Sequence, residues 1–298
     1  MIKNLIFFFT CLISNYLYSE VDSDFFRACL NGDKQKVYDL FSSHGKKLIY
    51  LKDKDDNTCL HLACCSKKGG MKTEIAEFLI SNHADINAQN RYESTPLIIA
   101  VTNSNYELVE LLLQVENINP NLQDNKRYSA LQHALLLHSP QMLKLILSHQ
   151  KTNPNFGTSD GATPLHFASM WGYKEEAQIL INDSRTDINA AQHDSVYEGA
   201  TPLHFSALQA QHEIVKMLID RGNVNIHASI SKGIYAGFTP LHFAVMNPEP
   251  VRAHETVQYL IENGADPKIQ SELGKTPKDL TEVGLIKKLL QRKKQKKS

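Results

Sequence analysis

The sequence predicts an all-α repeat solenoid of about eight helix-turn-helix units, with degenerate N- and C-terminal caps, on three observations. A tetrapeptide recurs along the chain as Thr58-Cys-Leu-His61, Thr95-Pro-Leu-Ile98, Ser129-Ala-Leu-Gln132, Thr163-Pro-Leu-His166, Thr201-Pro-Leu-His204, Thr239-Pro-Leu-His242 and Thr276-Pro-Lys-Asp279. The steps between first residues are 37, 34, 34, 38, 38 and 37, each a helix-pair period of about 33 with a small insertion. After each tetrapeptide comes a short Ala-rich stretch and then a second segment with helical apolar spacing, as in Glu74–Ile80, Tyr106–Leu113 and His212–Ile219.

Composition sets the frame for these elements. Hydrophobic residues make up 42% and charged residues 21% of 298 residues, the balance of a folded chain. A repeat array grows past the usual core-size limit because each unit packs only on its neighbours. Formal charge is zero, but seven cations fall between Lys287 and Lys297, leaving 25 basic against 32 acidic residues before them. An acidic body disfavours nucleic acid along the array.

The chain opens with Lys3, the apolar run Leu5–Ile13 and a more polar stretch to Ser19. One cation, a short apolar core and a small residue at Ser19 read as a secretory signal peptide over residues 1–19, with the run too short to span a bilayer. Leu17, where cleavage prefers a small residue, keeps an uncleaved anchor or a buried first helix in play. Phe9-Thr10-Cys11 is a poor lipoprotein box. Exported localisation follows from the first reading, in the periplasm, outside the cell or inside a host cell, with no stable membrane span after cleavage. Ala28–Asp33 and Val37–Phe41 form a degenerate first unit, and the array runs over 22–290.

Within each motif the residue types have separate tasks. Thr caps a helix N-terminus, Pro occupies the first turn where its missing N–H costs nothing, and Leu enters the core. The histidine ties the turn to its neighbour. Equivalent side chains in successive repeats stand about one helix spacing apart, roughly 8–10 Å, whereas zinc draws its ligands to about 2 Å, so the histidines are a structural ladder and not a metal site. The same spacing keeps Cys29 and Cys64, in matching positions of adjacent units, beyond disulfide reach. Cys59 replaces the motif's Pro, Cys65 adjoins Cys64, and all four read as small packing residues. An exported chain without an evident disulfide framework points to a weakly oxidising envelope or a reducing destination.

These residues resemble the ankyrin-repeat family. The Thr-Pro-Leu-His motifs, the run Ala84–Asn87 and Asn263–Asp266 carry the resemblance. It implies that His61, His166, His204 and His242 hydrogen-bond backbone, and that Thr163, Thr201 and Thr239 serve structurally beside them. It also implies that a protein partner is gripped by a concave face of first helices and by projecting loop tips, with no cofactor.

The variable positions after the paired alanines then set Leu136, Leu137, Met170, Trp171, Leu208 and Met246 along one groove, and the residue before the turn adds Tyr128 and Phe238. Aromatic anchors in an exposed apolar patch carry binding energy, and Trp171 is the chain's only tryptophan. Burial of these residues between repeats is the competing reading. The loops Gln192–Gly199 and Ser229–Gly237 are each lengthened by about four residues and carry Tyr197 and Tyr235 at the same distance from the motif. They read as two fingers of a binding rim. The insertions Cys65–Thr73 and Met246–Ala253 fall on another edge, with Pro248 and Pro250 stiffening a loop. The tail 291–298 is a Lys-rich terminus, either a solvated end or an address for an anionic partner.

Three function classes follow. The first is a monomeric, exported, non-catalytic scaffold or adaptor, including an effector that binds a host protein. The second is an envelope protein holding a partner of its own cell. The third, an enzyme, lacks support: no nucleotide-binding Gly loop, His-Glu-x-x-His, Gly-x-Ser-x-Gly or paired Cys-x-x-Cys occurs.

Overall fold

Helices come in pairs throughout the computed structural model, which describes residues 19–65, 70–193 and 195–291. The leader read over residues 1–19 lies outside these except for Ser19, and the tail read over 291–298 lies outside except for Gln291. The chain divides into two units, Met1–Leu112 and Leu113–Ser298. The first holds α1 (Glu20–Asn31) with α2 (Lys34–His44), α3 (Cys59–Cys64) with α4 (Met71–Ser81), and α5 (Pro96–Thr102) with α6 (Tyr106–Leu113), which ends at the boundary. The second holds α7 (Ala130–Leu136) with α8 (Pro140–Leu147), α9 (Pro164–Trp171) with α10 (Lys174–Asn182), α11 (Pro202–Leu208) with α12 (His212–Asp220), and α13 (Pro240–Val245) with α14 (Pro250–Glu262). It ends with a 3₁₀ turn at Pro277–Leu280 and α15 (Gly284–Gln291).

From α3 onward the first helix of each pair, 6–8 residues long, is too short to persist alone, since isolated helices need about 12–15 residues. Burial holds it: every residue of α3, and Pro202–Ala207 of α11, is buried. The second helices are amphipathic, with Ile214, Val215 and Leu218 of α12 and Leu143, Ile146 and Leu147 of α8 turned to the core. Truncating such a leucine to alanine costs about 2–5 kcal/mol. Pro250 departs from the sequence expectation. It is the N1 residue of α14, so the second half of the Met246–Ala253 insertion is a helix start.

Successive repeats within each unit are tied by backbone. The residue two before each motif Thr or Ser adopts positive φ: Asp56, Glu93, Arg127, Gly161, Gly199, Gly237 and Gly274. At that turn an N–H of the next loop reaches back, as in Arg91 N to Asp55 O (2.9 Å), His193 N to Asp160 O (2.9 Å), Ser231 N to Glu198 O (2.7 Å) and Glu272 N to Ala236 O (3.0 Å). At Gly237 the approach is close enough that a Cβ would lie 2.8 Å from Ser271 Cα and 2.8 Å from Glu272 N. Earlier in three loops of the second unit an asparagine bridges forward: Asn121 Nδ2 donates to Lys151 O (2.7 Å) while its Oδ1 accepts Asn153 N (2.7 Å), and Asn155 and Asn189 repeat the arrangement.

Candidate functional site

The motif histidines define the frame on which any site is displayed. In the second unit Nδ1 of His166 accepts the Thr163 N–H (3.1 Å) and lies 2.9 Å from Thr163 Oγ1. A backbone N–H can only donate, so Nδ1 is unprotonated and Nε2 carries the hydrogen. That Nε2 donates to Ala200 O (3.1 Å), the residue before the next motif. His204 does the same with Thr201 and Phe238 O (3.3 Å), His242 with Thr239 and Lys275 O (3.1 Å), and in the first unit His61 with Thr58 and Ser94 O (3.1 Å). Each histidine thus fills the N3 role that Glu or Gln takes in a capping box. Burial disfavours the imidazolium and lowers His61, His166 and His204 to about 4, with His242 moved the same way. Gln132, at the equivalent place, accepts Ser129 N–H through Oε1 (2.8 Å).

On this frame the second unit carries a partly exposed aromatic surface. Trp171, 38% exposed, lies at the C-terminus of α9 and stacks on Phe167 one turn earlier (centroids 5.1 Å, 30°). The chain then reverses through left-handed Gly172, which brings Tyr173 against Trp171 (5.5 Å). Tyr128, half-buried, meets Phe167 edge-on (6.4 Å), and His138 stacks on Tyr173 (4.2 Å, 20°). At the end of α7 stand Leu136 and Leu137, 41% and 43% exposed, and Met246 is 37% exposed after α13. Two polar pairs flank the rings. His133 Nε2 lies 2.8 Å from Asp124 Oδ2; burial opposes charge on that carboxyl, but hydrogen bonds from His133 and the Tyr128 N–H outweigh it and hold it below the usual range. His138 Nδ1 lies 2.5 Å from Oε1 of Glu176, whose side chain is fully buried.

Other expected anchors sit elsewhere. Phe238 is 6% exposed and packs with Ala200, Phe205, Ile230 and Phe243, with Met170 and Leu208 half-buried against that cluster. Its ring is core, because the residue before the motif turns inward where an aromatic follows at the fourth helical position. Tyr197 and Tyr235 do not project as separate fingers. Their rings stack at 5.5 Å and 9° and lie half-buried on the same cluster, while Lys232 bridges to Glu198 at 3.0 Å. Exposure falls to Val196 and Ile234 beside them. The sequence reading missed Phe167, Tyr173 and His138. Phe167 was signalled by its i,i+4 spacing to Trp171 and by the recurrence of Phe at Phe205 and Phe243.

Cys29, Cys59 and Cys64 are buried and Cys65 is half-buried, all as free thiols. Cys29 faces Cys59, not the Cys64 that repeat register pairs with it, and burial pushes the Cys59 and Cys64 thiols well up. Among the described residues no group of His, Cys, Asp and Glu could hold a metal ion, and no helix is long and apolar enough to cross a membrane.

A family model described as ankyrin repeats (3 copies) matches residues 25–124, 113–192 and 189–271. The chain belongs to the ankyrin-repeat family. Among curated relatives, I-Kappa-B like protein C1 of Microplitis demolitor bracovirus is 29% identical over 139 residues, covering 45% of this chain and 78% of that protein. NF-kappa-B inhibitor alpha of Sus scrofa is 31% identical over 150 residues, with 46% of this chain and 45% of that protein covered. Among solved structures, the ankyrin repeat domain of Bcl-3, titled a unique member of the IkappaB protein family, superposes with a TM-score of 0.69 at 23% identity, covering 80% of this chain and all of that one. This likeness shows the fold. Ankyrin-repeat folds are typically non-catalytic scaffolds for protein–protein interaction.

Proposed function

We propose that this ankyrin-repeat chain is a non-catalytic adaptor that seats a protein partner on the aromatic surface around Trp171. One observation carries the reading: a tryptophan held rigid by Phe167 and Tyr173, yet more than a third exposed, with two exposed leucines at the matching end of the preceding first helix. Immobilised aromatic anchors give contact area at little entropic cost, and they are the residues whose truncation costs most in interfaces. Relatives named as an inhibitor of NF-kappa-B and as I-kappa-B like proteins support a role in holding another protein.

Export belongs to the same proposal, resting on Lys3, the Leu5–Ile13 run and Ser19. An exported chain acts as an effector on a host protein, or on a partner of its own envelope, and cell fractionation separates the two. The binding test places a photo-crosslinking residue at Leu137 and, as control, at Glu255 on α14. Crosslinking at 137 and not at 255, with Trp171→Ala weakening capture at least about tenfold, is the expected result. Equal crosslinking at both positions, or unaltered affinity, overturns the assignment.

A further inference from the structure

All five cysteines fall within Met1–Leu112, four of them among the described residues. Five motifs place Pro after the opening Thr, whereas the first places Cys59 there, at the N1 position of α3. Cys29 comes from the last turn of α1, which packs on α3. The two thiols lie within interaction range of one another across the α1–α3 packing, each 0% exposed. A cysteine where neighbouring repeats have proline, and a second one facing it from the adjoining repeat, make a pair that neither helix formation nor partner binding requires.

We propose that Cys29 and Cys59 form an intramolecular disulfide when the chain folds in the presence of a small-molecule disulfide oxidant. Once α1 has docked, both sulfurs are sealed from solvent, so exchange precedes docking. The thiolate of one cysteine attacks the oxidant RS–SR, forming a mixed disulfide and releasing RS⁻, which takes a proton. The second cysteine, deprotonated, attacks the protein-side sulfur of the mixed disulfide and expels the other RS⁻. Two protein thiols and one RS–SR give one protein disulfide and two RSH, with two electrons passing to the oxidant. The bond staples the first helix pair to the second and removes chain entropy from the unfolded state across the loop it closes. It is independent of the surface at Trp171.

The full-length chain is unfolded in urea, refolded with oxidised and reduced glutathione, alkylated with iodoacetamide and mapped without reduction. The expected product is one linked pair of peptides carrying Cys29 and Cys59, with Tm falling by about 5–10 °C on reduction. Cys59→Ser abolishes the link. Cys59→Pro, which installs the residue found in five other motifs, folds by circular dichroism, lacks the link and shows no Tm difference between oxidised and reduced samples. Full alkylation of Cys29 and Cys59 after oxidative refolding, a link from Cys29 to Cys64 or Cys65, or a redox-dependent Tm that persists in Cys59→Pro overturns the proposal.

Discussion

Lowering the pH from 7.5 to 5 should weaken the second unit through His166 and His204. Both are buried as neutral imidazoles, pushed from the ordinary 6.5 to about 4 because burial penalises the cation. The sign follows from linkage: between pH 6.5 and 4 the unfolded chain binds a proton at each that the folded chain does not, so stability is intact above 6.5 and is lost as pH falls through that window. At pH 5 each residue costs about 2 kcal/mol, hence about 4 kcal/mol for the two, against a total stability on the order of 5–15 kcal/mol. His242 adds to the effect in the same direction. The assay is urea unfolding from pH 7.5 to 5.0, followed by circular dichroism and by Trp171 fluorescence. Gln132 points to the control variant, because a glutamine there keeps the N-cap acceptor and cannot titrate. His166→Gln should lose about 2 kcal/mol less than the parent between pH 7.5 and 5. Parallel pH profiles for parent and variant would refute the reasoning.

Phe238→Ala removes a ring from the buried Phe205–Ile230–Phe243 cluster and should destabilise by about 3–5 kcal/mol, whereas exposed Leu137→Ala should change stability by less than about 1 kcal/mol; paired denaturation curves compare them. Gly237→Ala places a Cβ against Ser271 and Glu272 at φ 80° and should cost at least about 1–2 kcal/mol, measured as a lowered urea midpoint. Ser19 caps α1, accepting Asp22 N–H and donating its own N–H to the Asp22 carboxylate; Ser19→Ala should cost about 1 kcal/mol and raise amide exchange along Asp22–Arg27. If export cleaves after Ser19, N-terminal sequencing of the mature chain begins at Glu20, and that chain, which also loses the Ser19 backbone contacts, exchanges along Asp22–Arg27 at least as fast as the alanine variant.

Local periodic signals carried most of the fold. Thr, Pro, Leu and His each answer a need within one helical turn, so the motif series marked the start of every first helix from α3 onward and of the last 3₁₀ turn. Residues whose fate depends on the next repeat were less legible. Phe238 and Tyr128 share a motif position, yet one packs under Phe243 and the other stays half-buried against Phe167, a contact set by the ring that the next repeat supplies. Tyr197 and Tyr235 matched in register, but that their rings would stack on each other required knowing that Ser231 bonds Glu198. Repeat arithmetic matches Cys29 to Cys64 and rightly keeps them apart as equivalents, but it does not show that Cys59, one turn earlier in the same helix as Cys64, comes within reach of Cys29. Glu176 offered no pattern at all, since a buried acid at a helix start reads like any exposed one.

The ladder of imidazoles has a direction. Each histidine closes its own cap through Nδ1 and spends Nε2 on the carbonyl just ahead of the following motif, so both contacts are specified within one period. A duplicated or excised block from one motif threonine to the next meets the same two partners at its new seam. In the second unit, length can therefore change by whole modules without new chemistry at the join, and the scaffold can be lengthened or shortened to measure while the surface it displays is altered independently.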